Sequence, residues 1–128
     1  MNIVKSLDPT SADLYSFAFS DIPFEVKRIY WIQNFVPGSI RGNHAHRILN
    51  QLMILLKGSL ELELNRGEIG TKKRLQAPGD FVMIPRATWR RFSSTDPQTI
   101  ILVLADREYE PEDYIRNYND YLEWFKNQ

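Results

Sequence analysis

Hydrophobic and polar positions alternate over short segments in the middle of the chain, and turn residues separate these segments. In residues 59–64, three leucines occupy one face and two glutamates the other, which is typical of a strand with one buried and one wet face. Other short apolar, β-branched or aromatic segments occupy residues 26–35, 51–56, 72–75, 81–84, 88–93 and 99–104. Strands of this length and spacing predict an all-β sandwich or barrel.

The end of the chain has a different period. Large apolar side chains recur at helical spacing, at Tyr114, Tyr118, Tyr121, Leu122 and Phe125. Pro111 suits a first helical turn, and the two acidic residues after it complement the helix dipole. We expect a short C-terminal helix that packs its aromatic stripe on the barrel. A helix that binds a partner is the alternative interpretation.

Length, charge and cysteine content narrow the class of protein. The 128 residues suit a single domain spanning residues 1–128. The charges of sixteen basic and sixteen acidic residues cancel, so no overall electrostatic field favours binding to nucleic acid or to an anionic membrane. No segment approaches the roughly 20 apolar residues of a membrane span. The chain has no cysteine, which excludes disulfides and thiolate chemistry and fits a cytoplasmic protein.

The only two histidines, His44 and His46, lie two residues apart in a small and polar segment. On a strand both side chains would point to the same face. The pair therefore predicts a functional site, because clustered titratable groups are uncommon elsewhere. Histidine takes up and returns protons near neutral pH, so the pair indicates acid–base chemistry.

Spacing around the histidines matches the two motifs of the cupin superfamily. Gly38, His44, His46, Gln51 and Gly58 have the spacing of the first motif, with glutamine where a glutamate ligand is usual. Gly79 and Pro85 have the spacing of the second motif, and the remaining ligand position falls on Arg90. An amide and a cation replace two of four metal ligands, so the resemblance predicts a cupin (jelly-roll) β-barrel with no metal.

Three longer blocks resemble a narrower family. They are residues 23–32 (PFEVKRIYWI), 41–47 (RGNHAHR) and 113–118 (DYIRNY). Together they resemble the small cupins that include the dTDP-4-keto-6-deoxyglucose 3,4-ketoisomerases, the WxcM-like sugar isomerases. The resemblance implies that the enzyme moves the ketone of a dTDP-linked 4-keto-6-deoxyhexose from C4 to C3 through an enediol, without a cofactor, for surface polysaccharides. It also implies a homodimer that can exchange N-terminal strands.

Candidate roles follow for individual residues. We predict that His44 and His46 are both catalytic, and which of them takes the C3 proton stays open. Tyr30 either donates a hydrogen bond to the enediolate or is a core aromatic residue. The remaining candidates are predicted to bind substrate, and they are Arg28, Arg41, Gln51, Trp89 and Arg90.

Two of these substrate-binding predictions carry alternatives. Arg41 either neutralises the enediolate or a phosphate, or it is a surface residue. Trp89 either stacks on the base or closes the floor of the barrel.

Three other functions compete with the ketoisomerase. A nucleotide-sugar 3,5-epimerase uses the same enolisation chemistry, but its cupin relatives pair a histidine with an aspartate, and no suitable aspartate stands beside the motif. A non-catalytic sugar-binding cupin would bind without exchanging protons. A metal-dependent dioxygenase or isomerase needs ligands that the motif lacks. The nucleotide and the C4 stereochemistry stay open.

Overall fold

The structure, a computed structural model, describes residues 2–128. Within them the chain forms eleven strands, one α-helix and two 3₁₀ turns, Phe19–Asp21 and Pro111–Asp113. The strands are β1 (Ile3–Ser6), β2 (Leu14–Phe17), β3 (Arg28–Ile32), β4 (Arg41–His46), β5 (Gln51–Lys57), β6 (Leu60–Arg66), β7 (Ile69–Leu75), β8 (Phe81–Ile84), β9 (Trp89–Ser93), β10 (Ile100–Ala105) and β11 (Tyr114–Ile115). The helix α1 is Tyr118–Phe125. The all-β prediction is confirmed.

Two antiparallel sheets enclose the core. One has the order β3-β10-β5-β8 and the other β11-β4-β9-β6-β7. The inward faces of the strands supply the buried side chains, among them Met53, Leu55, Leu62, Ile84 and Val103. The alternation of residues 59–64 is confirmed in β6, where Leu60 and Leu62 are buried and the glutamates beside them are exposed.

An N-terminal hairpin, which the hydrophobic pattern did not predict, covers the outer face of the first sheet. β1 pairs with β2, and Phe17 packs with Ile22 against Leu52, Ile54 and Leu104 of β5 and β10. This cover explains why β5 begins with five consecutive buried residues: a strand buried on both faces shows no alternation. Each of these strands has only four residues, with apolar side chains on both faces and most residues exposed, so no alternation marks β1 and β2 in the sequence.

The predicted start of the C-terminal helix is wrong. A helix is present, but it begins at Tyr118 and not near Pro111, and Asn117 caps it by accepting the Asp120 N–H at 3.0 Å. Tyr121 and Phe125 pack on the barrel beside Trp89 and its neighbours. The preceding residues pair as β11 with β4, which takes Tyr114 out of the helical stripe and brings it to the histidine strand.

No helix within residues 2–128 is long and apolar enough to cross a membrane.

Candidate active site

A β-bulge shapes the strand that carries both histidines. The register of β4 against β9 shifts between Gly42 and His44, and residues 42 and 43 have φ angles of 88° and 53°. A Cβ on Gly42 would lie 2.9 Å from the Arg90 carbonyl oxygen, so the close approach requires glycine. The bulge brings the Gly42 carbonyl to 2.9 Å from His44 Nδ1. Because a carbonyl only accepts, Nδ1 carries the proton in neutral His44, and Nε2 is the acceptor.

His46 is held by a buried carboxylate. Its Nδ1 lies 2.9 Å from Asp113 Oδ2, and only 1% of the His46 surface is exposed. The same carboxylate accepts the backbone N–H groups of Ile48 at 2.7 Å and Leu49 at 3.3 Å. His46 Nε2 is buried without a hydrogen-bond partner among the described residues, so its lone pair is available.

Both histidines are neutral bases at neutral pH. Burial and then the Arg90 guanidinium lower the pKa of His44 to about 4. The same two causes, in the same order, lower the pKa of His46 to about 2, although the Asp113 carboxylate acts in the opposite direction. The two rings are 4.9 Å apart between centroids, so both imidazoles can take part in the same proton transfer.

Arg90 lies inside the barrel as a buried cation, and no carboxylate within residues 2–128 forms an ion pair with it. It is 1% exposed, and its Nη1 donates to Gln51 Oε1 and its Nη2 to the Thr88 carbonyl at 3.1 Å. Its Nε has no partner in the described part of the chain. Gln51 Nε2 in turn donates to the Tyr30 hydroxyl at 2.8 Å. Since this contact uses a Tyr30 lone pair, the Tyr30 proton is free to donate elsewhere.

A cavity of about 510 Å³ opens above this network. Its lining includes all but two of the predicted catalytic and substrate-binding residues, namely Arg28, Tyr30, Arg41, His44, Gln51 and Arg90, together with Tyr114. His46 is not in the lining; its ring lies behind it, 4.3 Å from the Tyr114 ring between centroids. The Arg28 guanidinium lies over the Tyr30 ring, 5.3 Å from its centroid.

Trp89 is placed apart from that cavity. It packs under α1, 5.2 Å from Tyr118 and 5.7 Å from Tyr121 between ring centroids, and it lines a separate cavity of about 280 Å³. Its part in substrate binding stays a prediction. Another cavity, of about 360 Å³, is lined by residues of β6, β7 and β9 such as Glu63 and Arg91, and neither histidine lines it.

Sequence reasoning missed two residues of the site, Asp113 and Tyr114. The judgement that no suitable aspartate stands near the motif is wrong, because Asp113 bonds to His46 from 67 residues away. The DYIR block contained both residues, but the helical pattern of the tail assigned them to a helix. Pairing of β11 with β4, Tyr114 opposite His46, brings them to the histidines.

The set of available donors does not suit a metal. Within residues 2–128 no three His, Asp or Glu side chains are grouped closely enough to hold an ion. The position of the fourth cupin ligand carries Arg90, whose pKa burial lowers only to about 10, so the residue stays cationic at neutral pH and repels a divalent ion.

The fold and the site together define a cupin in which two histidines and a buried arginine stand where other cupins bind a metal. The chain belongs to the family described as FdtA: WxcM-like, C-terminal, which it matches over residues 2–126.

Characterised proteins resemble the chain over almost its whole length. It is 29% identical over 124 residues to a TDP-4-oxo-6-deoxy-alpha-D-glucose-3,4-oxoisomerase of Aneurinibacillus thermoaerophilus, covering 97% of this chain and 89% of that protein. The crystal structure of a 3,4-ketoisomerase from Helicobacter canadensis is 33% identical with a TM-score of 0.90, covering 98% and 94% of the two chains. A variant of the 3,4-ketoisomerase QdtA from Thermoanaerobacterium thermosaccharolyticum, in complex with TDP-4-keto-6-deoxyglucose, is 30% identical with a TM-score of 0.91, covering 98% and 91%.

Proposed function

We propose that this protein is a nucleotide-sugar 3,4-ketoisomerase that moves the ketone of a TDP-linked 4-keto-6-deoxyhexose from C4 to C3. The observation that carries the proposal is the pair of neutral histidines, each with an accepting Nε2, beside the buried cation Arg90. The relatives support the substrate class, because they are 3,4-ketoisomerases and one of them binds TDP-4-keto-6-deoxyglucose.

The reaction is a balanced transfer of protons. A base removes the proton from C3, the C3–H electron pair forms the C3–C4 double bond, and the C4 carbonyl becomes an enediolate oxygen. The enediolate oxygen on C4 takes up a proton to become the new C4 hydroxyl, the C3 hydroxyl loses its proton to become the new ketone, and C4 receives a proton on carbon. No oxidant or reductant enters, and the neutral imidazoles of His44 and His46 serve as the bases and, once protonated, as acids.

Arg90 and Tyr30 suit the negative charge that develops on the enediolate. A buried guanidinium acts in a low-dielectric interior, where a fixed cation stabilises an oxyanion more strongly than in water. Burial raises the pKa of Tyr30, so its hydroxyl keeps its proton, and the hydrogen bond from Gln51 leaves that proton for the substrate. The Arg90–Gln51–Tyr30 chain therefore does in this barrel what a Lewis acid does in a metal-dependent enzyme.

Two further arginines of the cavity suit a diphosphate. Arg28 and Arg41 line the cavity, and guanidinium groups bind phosphate oxygens in a forked geometry. Trp89 has no part in this proposal, because it lies under α1. We propose a TDP-linked substrate, and a comparison of TDP and UDP sugars as inhibitors tests the nucleotide.

A proton NMR time course in deuterated water tests the function. Purified protein with TDP-4-keto-6-deoxyglucose is expected to give a 3-keto product with deuterium at the exchanged carbon, whose coupling constants report the stereochemistry at C4. His44→Asn and His46→Asn should each abolish the product. Substrate recovered without any deuterium would contradict the proposal. Undiminished activity after treatment with EDTA is expected from a metal-independent site, whereas loss that Zn²⁺ or Fe²⁺ restores would refute metal independence.

A sugar 3,5-epimerase is the second candidate, because the buried Asp113–His46 pair is the kind of dyad that the sequence was expected to lack. The same NMR experiment separates the two functions. Deuterium at C5 indicates the epimerase, and a carbonyl signal that moves to C3 indicates the ketoisomerase. The identity to 3,4-ketoisomerases over nearly the whole chain favours the latter.

We also propose a homodimer in the cytoplasm. The hairpin exposes Val4, Leu7 and Leu14, and the edge strand β3 exposes Ile29 and Trp31. Exposed apolar side chains beside an unpaired edge strand favour association, by exchange of hairpins or by contact between intact hairpins. Sedimentation velocity tests the dimer, and Trp31→Glu is expected to shift the protein toward monomer. Cell fractionation tests the proposed cytoplasmic location.

A further inference from the structure

The turn that carries Asp113 is fastened to the end of β4. Arg47 donates its backbone N–H to the Asp113 carbonyl at 3.0 Å, and its guanidinium donates to the carbonyls of Glu112 and Tyr114 at 2.6 and 2.9 Å. The Asp113 carboxylate accepts three hydrogen bonds, and two of them come from the backbone N–H groups of residues 48 and 49. The carboxylate is therefore fixed in direction, and its third hydrogen bond goes to His46.

A carboxylate in this position selects one form of the imidazole. An ionised carboxylate accepts and does not donate, so His46 Nδ1 must carry the proton when the ring is neutral. Nε2, the nitrogen without a partner in residues 2–128, is then the only one that can take a proton from another group. The other groups that act on the ring are His44 and the cations Arg28, Arg90 and Arg116, and the Tyr114 ring packs against it. The Asp113 carboxylate is the acceptor that faces Nδ1.

We propose that Asp113 is a positioning residue of the isomerase, which holds His46 in the Nδ1–H tautomer so that Nε2 accepts a proton during catalysis. This inference rests on the proposed function. It assigns a role to a residue that acts through His46 and does not line the cavity. Asp113 also stabilises the imidazolium that forms when Nε2 accepts the proton, because the carboxylate is adjacent to it.

Nitrogen NMR of the histidine rings tests the inference without any substrate. The chain has only two histidines, so a protein labelled with ¹⁵N-histidine shows two ring systems, and His44→Asn assigns them. The expected wild-type spectrum has Nδ1 of His46 protonated and Nε2 unprotonated. The opposite tautomer in the wild-type protein would overturn the inference, whether or not the protein isomerises the sugar.

Asp113→Asn and a matched control, Asp106→Asn, separate positioning from structural support. Asp106 also holds the segment after β4, by accepting the Asn50 backbone N–H at 2.9 Å, but it does not bond to a histidine. We expect Asp113→Asn to lower kcat about 10²- to 10⁴-fold with little change in KM and to alter the His46 tautomer, and Asp113→Glu to recover part of kcat. We expect Asp106→Asn to leave the tautomer and kcat unchanged.

Two results would refute the role of Asp113. One is an Asp113→Asn enzyme with wild-type kcat and an unchanged His46 spectrum. The other is an equal loss of kcat in Asp106→Asn and Asp113→Asn, which would indicate general support of the segment. Absence of isomerisation by the wild-type protein, with the expected tautomer present, would count against the proposed function and leave the orientation of His46 established.

Discussion

Replacing Arg90 by methionine should separate stability from activity. Burying a cation without a paired anion costs several kcal/mol even after the protein relaxes, and Arg90 is 1% exposed with only neutral acceptors bonded to it. Arg90→Met removes that cost and keeps most of the volume. It leaves Gln51 Oε1 and the Thr88 carbonyl without their donor, at roughly 1–3 kcal/mol for each one that water does not reach.

The two effects nearly offset each other, so we expect the free energy of unfolding of Arg90→Met to lie within about 2 kcal/mol of the wild-type value. Activity should change far more. Removing a group that stabilises an oxyanion lowers kcat by about 10²- to 10³-fold. Arg90→Lys keeps the charge but cannot donate from two nitrogens to Gln51 and the Thr88 carbonyl, and it should show an intermediate kcat.

Arg90→Met should also raise the pKa of both histidines, because the guanidinium is the second-largest cause of their lowered values. Denaturant unfolding, steady-state kinetics and titration of the histidine C2 protons measure the three effects. A loss of more than about 6 kcal/mol, which is more than two unpaired acceptors cost, would show that Arg90 is a structural residue. Wild-type kcat in the variant would refute its part in catalysis.

Three further predictions follow from the same structure. Unfolding should take up as many as two protons between pH 4 and 6.5, because the histidine pKa values are about 4 and about 2 in the folded state. The free energy of unfolding should therefore fall as the pH drops, by up to about 1.4 kcal/mol per pH unit for each proton. A free energy of unfolding that does not change with pH in urea titrations would contradict this. Gly42→Ala should lower kcat by displacing His44, since the added Cβ would lie 2.9 Å from the Arg90 carbonyl oxygen. Gly38→Ala is the control, because a Cβ added at Gly38 has open space around it. Tyr121→Phe should cost about 1–3 kcal/mol in a single cooperative transition, because its hydroxyl lies 2.8 to 3.0 Å from three backbone groups; unchanged stability in thermal unfolding would refute this.

Local patterns in the sequence were sufficient for most of the barrel. Strand periodicity depends on neighbouring residues alone, so the alternation of β6 and the spacing of the turns were readable directly. The same parity also bears on Trp89. Adjacent residues of a strand face opposite sides, so an inward Arg90 requires an outward Trp89, and a strict reading of β9 would have removed Trp89 from the site.

The bulge in β4 could not be predicted from the local sequence pattern. Gly42 has a positive φ angle and the backbone of Arg90 approaches it closely from β9, and nothing in the segment itself shows which strand will be its neighbour.

The sequence by itself determined the class of fold, the histidine pair and the replacement of two metal ligands by Gln51 and Arg90, since spacing along the chain carries all of these. Only the tertiary structure decided that Asp113 holds His46, 67 residues away, and that Tyr114 belongs to a strand and not to the helix. The physical reason is that the pairing of β11 with β4 and the burial of a carboxylate depend on contacts between distant segments. Those contacts outweighed the helical spacing of the tail, because a buried ionised group needs its hydrogen bonds.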